Sequence, residues 1–497
     1  MRKTTLVLSF LVCTFSGLGT IQAQSINQAL ELYKAKEYPD AALALYSVMS
    51  EHPELDVRDQ AQIYLAETLF KMDLLVPAFS YYEEIFKVGR SNRYYLNAVE
   101  GLLKVQKKLH DPLLVPTVLS TNFDGEGFNQ LDPDKVAQIS YLVGYQSFNQ
   151  ARNSLAREYL EFVPPESLYY GKARYLLGLI EIRNRNSEVA VKHFQEVVDH
   201  IPSDSVFEEL RRVRSVALVA MGRTLYGMQK YPESSAAYGK VPRFSEQWFS
   251  AMYENAWAFY KQGDYGRALG ELHSVTSPYM SKSHIPEAYV IQGTAYFNTC
   301  QWDRVRRSIE LYNKTYVEMR KGLETYLTDV TEPSDYYNDL VASGNKRYEE
   351  ELARDIRKAK RFRDFYFMMD HMAWESNAVS AMDRWSGTRL AQDVKSWIDD
   401  YRAQLEVVIG SWVAVQLKTR LANLKDFQEQ IDTLDTELSI AETMWLDEAR
   451  EIEKGRRARL PRPKIPNDQW QHWNFRKEYW KGELGYYQHA IGDECQL

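Results

Sequence analysis

Between Tyr175 and Pro202 the chain reads Y-L-L-G-L-I-E-I-R-N-R-N-S-E-V-A-V-K-H-F-Q-E-V-V-D-H-I-P. Gly178 is followed by Ala190 after twelve residues, by Phe194 after four more and by Pro202 after another eight. Two short antiparallel helices explain this layout. The small pair sits where they approach most closely, Phe194 and Val197 are expected to fill the space toward the next unit, and proline stops the second helix by removing a backbone donor. One match of this kind carries little weight, but the small pair recurs. It returns at Ala29/Ala41, Ala66/Ala78, Gly144/Ala156, Gly222/Ser234, Ala256/Ala268 and Gly293/Val305, with a degenerate unit at Gly101/Leu113, at intervals of 34 to 44 residues.

The spacing is that of a tetratricopeptide repeat, which stacks helix pairs so that neighbours bury a shared core. Turn chemistry agrees. Lys36-Glu37-Tyr38-Pro39, Gln229-Lys230-Tyr231-Pro232, Gly263-Asp264-Tyr265 and Cys300-Gln301-Trp302-Asp303 each place an aromatic at the start of a second helix. Pro39 and Pro232 fall in the first turn, where a missing N–H costs nothing. No sustained two-residue alternation argues for a sheet. The expected fold is therefore all-α: a superhelical solenoid of about eight repeats over 24–316, then a linker at 317–345 marked by Pro333, Ser334, Ser343 and Gly344. A long helical region follows over 346–455. Phe427, Ile431, Leu434, Leu438, Ala441 and Trp445 recur at alternating steps of four and three, the seam of a coiled coil. That seam is compatible with an antiparallel hairpin or with self-association, and Gly410 interrupts it. Residues 456–497 open with a basic, proline-rich connector and end in a segment crowded with Trp470, Trp473, Phe475, Tyr479, Trp480, Tyr486 and Tyr487.

Arg2 and Lys3, an apolar run from Leu6 to Phe15 and a small-residue stretch ending at Ala23 have the layout of a secretory signal, with cleavage expected after Ala23. Val12 stands where a lipid-attachment signal ending at Cys13 would need a small residue, so an exported, unlipidated, periplasmic protein is expected. No later stretch has the roughly 20 apolar residues of a membrane span. The formal net charge of −7, more negative once Arg2 and Lys3 leave, argues against nucleic acid as a partner. Cys300 and Cys495 remain, and in an oxidising compartment they could pair or stay apart.

The sequence offers little catalytic chemistry. The nine histidines are scattered, without H-E-x-x-H or paired-cysteine metal spacing, and neither a phosphate loop nor a nucleophile elbow is present. Asp370-His371 is the nearest thing to a dyad and has no neighbouring nucleophile. No enzyme, cofactor or metal is expected. The binding case rests on the first helix of each repeat, whose residues three before, one after and four after the small anchor line the inner groove. Those positions hold Tyr141, Tyr145 and Phe148, then Tyr175, Leu179 and Ile182, then Arg223 and Tyr226, then Tyr253, Trp257 and Tyr260, and finally Phe297. Aromatic residues and arginine are the types enriched at binding hot spots. The expected occupant is an envelope protein, a peptide segment or the protein's own C-terminal helices. In a second reading the aromatics and the basic stretch 454–464 contact peptidoglycan or its synthases.

The signal, the length of the array, the helical region and the finish Trp473-Asn474-Phe475-Arg476-Lys477-Glu478-Tyr479-Trp480-Lys481-Gly482-Glu483-Leu484-Gly485-Tyr486-Tyr487 with Cys495 together resemble a family of exported repeat proteins of predatory and gliding delta-proteobacteria. One member serves an adventurous gliding-motility machinery. The resemblance implies a periplasmic scaffold within an envelope-spanning assembly.

Overall fold

The computed structural model describes residues 25–280, 285–342, 347–452, 465, 467–473, 478–492 and 494–495. The expected leader, the connector 456–464 and residues 474–477 of the aromatic finish lie outside them. Among the described residues the chain is helical and has no strand. Helices pair in chain order, α1 (Ile26–Lys34) with α2 (Tyr38–Glu51) and α3 (Leu55–Lys71) with α4 (Leu75–Val88); α5 (Tyr95–Lys108) and α6 (Leu114–Thr121) come next in the chain. A single turn, α7 (Gly125–Phe128), precedes α8 (Pro133–Asn149) with α9 (Asn153–Glu161), α10 (Tyr170–Arg183) with α11 (Ser187–His200), and α12 (Glu208–Gly227) with α13 (Tyr231–Gly239). The array closes with α14 (Trp248–Lys261) and α15 (Tyr265–Val275), then α16 (Pro286–Phe297) and α17 (Trp302–Asp329). Four helices follow: α18 (Pro333–Val341), α19 (Glu350–Lys358), α20 (Lys360–Ser380) and α21 (Arg389–Ile452).

The small anchors do what their size allows. Ala41, Ala78, Ala156, Ala190, Ser234, Ala268 and Val305 are all 0% exposed. A Cβ at Gly178 would fall 2.4 Å from the Phe194 ring, one at Gly222 2.6 Å from the Tyr238 ring, and one at Gly144 2.7 Å from Leu160. Phe194 thus lies across its own repeat, against Gly178, instead of filling the space toward the next one. Seven residues after each regular anchor the backbone turns left-handed, at Lys36, Asp73, Ala151, Arg185, Gln229, Gly263 and Cys300. Only Gly263 does so without a Cβ penalty. The degenerate unit departs from this register: its left-handed residue is His110. There Asp111, 1% exposed, receives the N–H groups of Leu113, Leu114 and Val115 and so caps α6.

The chain forms two compact units, Met1–Val105 with Glu375–Ile398 and Gln106–Trp374 with Asp399–Leu497. This differs from the linear order of array, linker and helical region that the sequence suggests. In the first unit the segment 375–398 is built into the early repeats. Glu375, 0% exposed, accepts the N–H groups of Leu75 and Val76 and so serves the N-terminus of α4. Trp385, also 0% exposed, donates its indole N–H to the Pro39 carbonyl at 3.0 Å. Arg384 pairs with Asp40, Tyr46 donates to Asp393, and Trp397 meets Tyr81 edge-on at 4.9 Å.

In the second unit, the described residues 317–342 of the expected linker are mostly helix, because α17 continues to Asp329 and α18 begins at Pro333; residues 343–345 lie outside the described ones. The long helix α21 runs back along α17. Arg306 pairs with Glu442, Asn313 meets Gln428 at 3.2 Å, and the Tyr312 hydroxyl donates to the Leu424 carbonyl at 3.2 Å. Ile431, Leu434 and Leu438 are buried, and Leu434 sits where a Cβ on Gly293 would be. Ile431, Leu434 and Leu438 of the expected coiled-coil seam are therefore used within the chain. Gly410 is a contact and not a flaw in a heptad. It lets the Pro333 carbonyl approach to within 1.7 Å of the place a Cβ would occupy.

Candidate functional site

The first helices place the expected groove residues as a row of half-buried rings, with Ile182 (38% exposed) and Arg223 exposed among them. Tyr141 stacks against Tyr145 with ring centres 6.2 Å apart, and also meets Tyr169 at 5.2 Å. The Arg183 guanidinium lies 3.7 Å from the centre of Phe148. Tyr175 meets Phe194 at 5.9 Å, Tyr226 meets Tyr231 at 5.4 Å, and Phe297 meets Trp302 at 5.4 Å. Tyr253 is half-buried on the same helix as Trp257 and Tyr260.

Several polar tips of this row tie one repeat to the next. Arg223 of α12 makes a two-point contact with Glu254 of α14 at 2.7 and 2.5 Å. Trp257 donates its indole N–H to Glu287 of α16 at 2.7 Å, and Tyr260 accepts from Asn298 at 2.9 Å. Arg223 is therefore committed to its neighbour, a structural use of a residue that the sequence suggested for partner binding. The chain's own later helices also touch this part of the array. Arg363 of α20 pairs with Glu246 at 3.3 Å, and Phe367 meets His110 at 5.0 Å. Burial first, then the neighbouring Tyr145 and Glu209, and last Asp364 of α20, push the Tyr141 hydroxyl up from its ordinary range. Tyr145, Phe148, Ile182, Tyr226 and Tyr260 continue the row with part of each side chain open to solvent. His371 stacks between Phe367 and Trp374, at 6.2 and 5.4 Å, so the Asp370-His371 pair sits in a ring ladder on α20. Among the described residues no cluster of three His, Cys, Asp or Glu side chains could hold a metal ion, and no helix is long and apolar enough to cross a membrane.

A second feature had only two signals in the sequence, the aromatic finish and the paired cysteines. The C-terminal segment lies against α14–α17. A disulfide joins Cys300, at the left-handed turn of the last repeat, to Cys495, with Cα atoms 5.0 Å apart. Around it the backbone bonds directly to the repeats: His489 N–H to the Gly266 carbonyl and Glu494 N–H to the Thr299 carbonyl, each at 3.0 Å. Gly485 N–H reaches Ser274 Oγ at 2.8 Å, and Arg243 donates to the carbonyls of Gly482 and Leu484 at 2.8 and 2.9 Å. Gly266, Gly270 and Ser274 recur every four residues on one face of α15, and only their small size admits this backbone. The Tyr487 carbonyl is 1.7 Å from where a Gly270 Cβ would lie.

Under this seat Glu271 and Asn255 line a cavity of about 150 Å³ together with Leu484, Gly485 and Tyr486. Asn255 donates to Glu271 at 3.0 Å. Burial pushes the Glu271 carboxyl up to about 8, and the Asn255 bond only partly offsets this. A raised carboxyl pKa gives stability that is complete below the unfolded value near 4.5 and is lost as pH rises through about 8. Hydrogen exchange at residues 484–487, corrected for its intrinsic pH dependence, is therefore expected to quicken as pH rises from about 5 to about 8. Glu271→Gln, neutral at every pH, is expected to flatten that dependence. An equally steep rise in the variant would remove Glu271 as its cause.

No family model and no curated protein matches the chain. Solved structures do. A tetratricopeptide repeat protein from Parabacteroides merdae aligns over 58% of this chain and 91% of its own, with 13% identity and a TM-score of 0.25. A Rap protein complexed with competence and sporulation factor aligns over 80% of this chain and 98% of its own, with 12% identity and a TM-score of 0.27. The fold is an all-α tetratricopeptide-type solenoid. Its repeat type is carried by the chain's own anchors and left-handed turns.

Proposed function

We propose that the protein is a non-catalytic scaffold that holds a protein or peptide partner against the half-open rings of α8, α10, α12 and α14. The observation that carries this reading is the recurrence of incompletely buried aromatic and aliphatic side chains at matching positions of successive repeats, from Tyr145 and Phe148 through Ile182 and Tyr226 to Tyr260. Half-open rings in line favour an extended partner, because each repeat offers a contact at a fixed interval. Export to an oxidising, periplasmic compartment is supported by the signal layout and by the Cys300–Cys495 disulfide. An envelope protein is the partner class in this reading. Membership of an envelope-spanning assembly, a gliding-motility complex included, rests on the layout of the chain and its aromatic finish.

A photo-crosslinking residue placed at Tyr145 or Tyr226, and as a control at exposed Lys192 on α11, tests the reading in envelope extracts. A defined crosslinked band is expected at 145 and 226 and absent at 192. Tyr145→Ala with Tyr226→Ala is expected to lower capture of the same partner about tenfold or more, the scale of losing one or two hot-spot side chains. Equal crosslinking at all three positions would refute the assignment of this face.

A further inference from the structure

The C-terminal segment does more than cover α15. Between it and α15–α17 lies an open cavity of about 800 Å³, within the range of pockets that hold small ligands. One wall comes from the repeats, with Tyr289, Gln292, Arg304 and Arg307, and the other from the tail, with Trp470, Trp473 and Gln488. No carboxylate is among the described residues that line it. Of three arginines on the first turns of α17, Arg306 is paired with Glu442, whereas Arg304 and Arg307 have no carboxylate partner among the described residues. Arg304 lies 5.3 Å from the Tyr296 ring centre, which leaves its N–H fork directed by an aromatic and not by a counter-ion. Two indole rings, Trp470 at 38% and Trp473 at 54% exposed, stand on the tail side, and Trp473 meets the tail's own Trp480 edge-on at 5.1 Å.

From this juxtaposition we propose that the cavity between α15–α17 and the C-terminal segment is a binding site for a carboxylate-bearing saccharide. The arginines supply a two-point fork for the carboxylate. The indole and phenol rings supply flat apolar surfaces for the C–H faces of sugar rings, and the amides of Gln292 and Gln488 suit hydroxyl and acetamido groups. Burial pulls His273 and His489 down to about 4, so at neutral pH these two wall residues add hydrogen-bonding atoms and no charge. Among the described lining residues, Arg304 and Arg307 carry the permanent positive charge. An acidic peptide would satisfy the arginines but would leave the rings and amides without matched partners, and this favours the saccharide. Because Cys495 fixes the end of the tail to the last repeat, the disulfide also holds one wall of the cavity in place.

The test uses the full chain with its disulfide intact, calorimetric titration and tryptophan fluorescence. The probes are a tetrasaccharide of alternating glucuronate and N-acetylglucosamine, the neutral tetramer of N-acetylglucosamine, and tetraglutamate. The uronate tetrasaccharide is expected to bind about tenfold or more tightly than the neutral one, with quenching of tryptophan emission. Arg307→Gln is expected to abolish that preference, and Trp473→Ala to weaken both saccharides about tenfold. Both side chains are exposed, and unchanged far-ultraviolet dichroism checks that the variants fold. The proposal is overturned if tetraglutamate binds as tightly as the uronate, if no saccharide binds, or if neither variant changes uronate binding.

Discussion

Trp385→Ala is expected to cost about 3–5 kcal/mol, the range for deleting a large, fully enclosed aromatic. The indole is 0% exposed and its N–H bonds the Pro39 carbonyl, so truncation leaves both a cavity and an acceptor without its donor. Among the side chains that join residues 375–398 to the early repeats, Trp385 is the largest that is fully buried. Loss of that anchor should also expose the segment to protease, since Glu375 at the start of α4 is held by the same docking. Urea unfolding and limited proteolysis measure the two effects. Arg384→Ala next door removes an ion pair with Asp40 whose arginine side is 68% exposed, and is expected to cost under about 1 kcal/mol. Equal effects from the two changes would show that the indole is not the anchor.

Gly410→Ala is the second large effect, and a glycine elsewhere provides its own control. A Cβ at position 410 would lie 1.7 Å from the Pro333 carbonyl oxygen and 2.5 Å from its carbon. Those are backbone atoms at the start of α18, and no side-chain rotation relieves the clash. The helices must separate, breaking the Asn338–Glu406 hydrogen bond at 2.6 Å, with an expected loss of about 3 kcal/mol or more. Gly322, inside α17, has nothing within 4 Å of its built Cβ. There the same substitution is expected to stabilise by about 0.5–1 kcal/mol through helix propensity. Denaturation midpoints of the two variants should move in opposite directions, and movement in the same direction would contradict the packing described for Gly410.

What could be read in the chain depended on the range of the interaction. Gly178/Ala190 and its counterparts declared themselves because small residues twelve apart meet inside one helix pair, and local geometry makes that spacing obligatory. The same locality explains the proline positions and the left-handed residue after each first helix. Gly410 could not be understood this way. Within its own helix it looks like a break, and only the approach of Pro333 from far along the chain gives it a purpose. Arg223 has the same history. Composition marks it as a binding residue, while the neighbouring repeat supplies Glu254 and claims it.

The sequence by itself determined the helix pairs, their order and the half-apolar face of each first helix, because helix periodicity and small-residue contact are properties of short stretches. Tertiary structure alone decided that 375–398 completes the first unit, that α21 packs its seam leucines back on the last repeat, and that the aromatic finish folds over α15 to form one wall of an open cavity. Those outcomes depend on contacts between residues some 100 to 350 positions apart, such as Gly293 with Leu434 and Pro39 with Trp385. Which buried surfaces meet across such distances is fixed only when the whole chain packs.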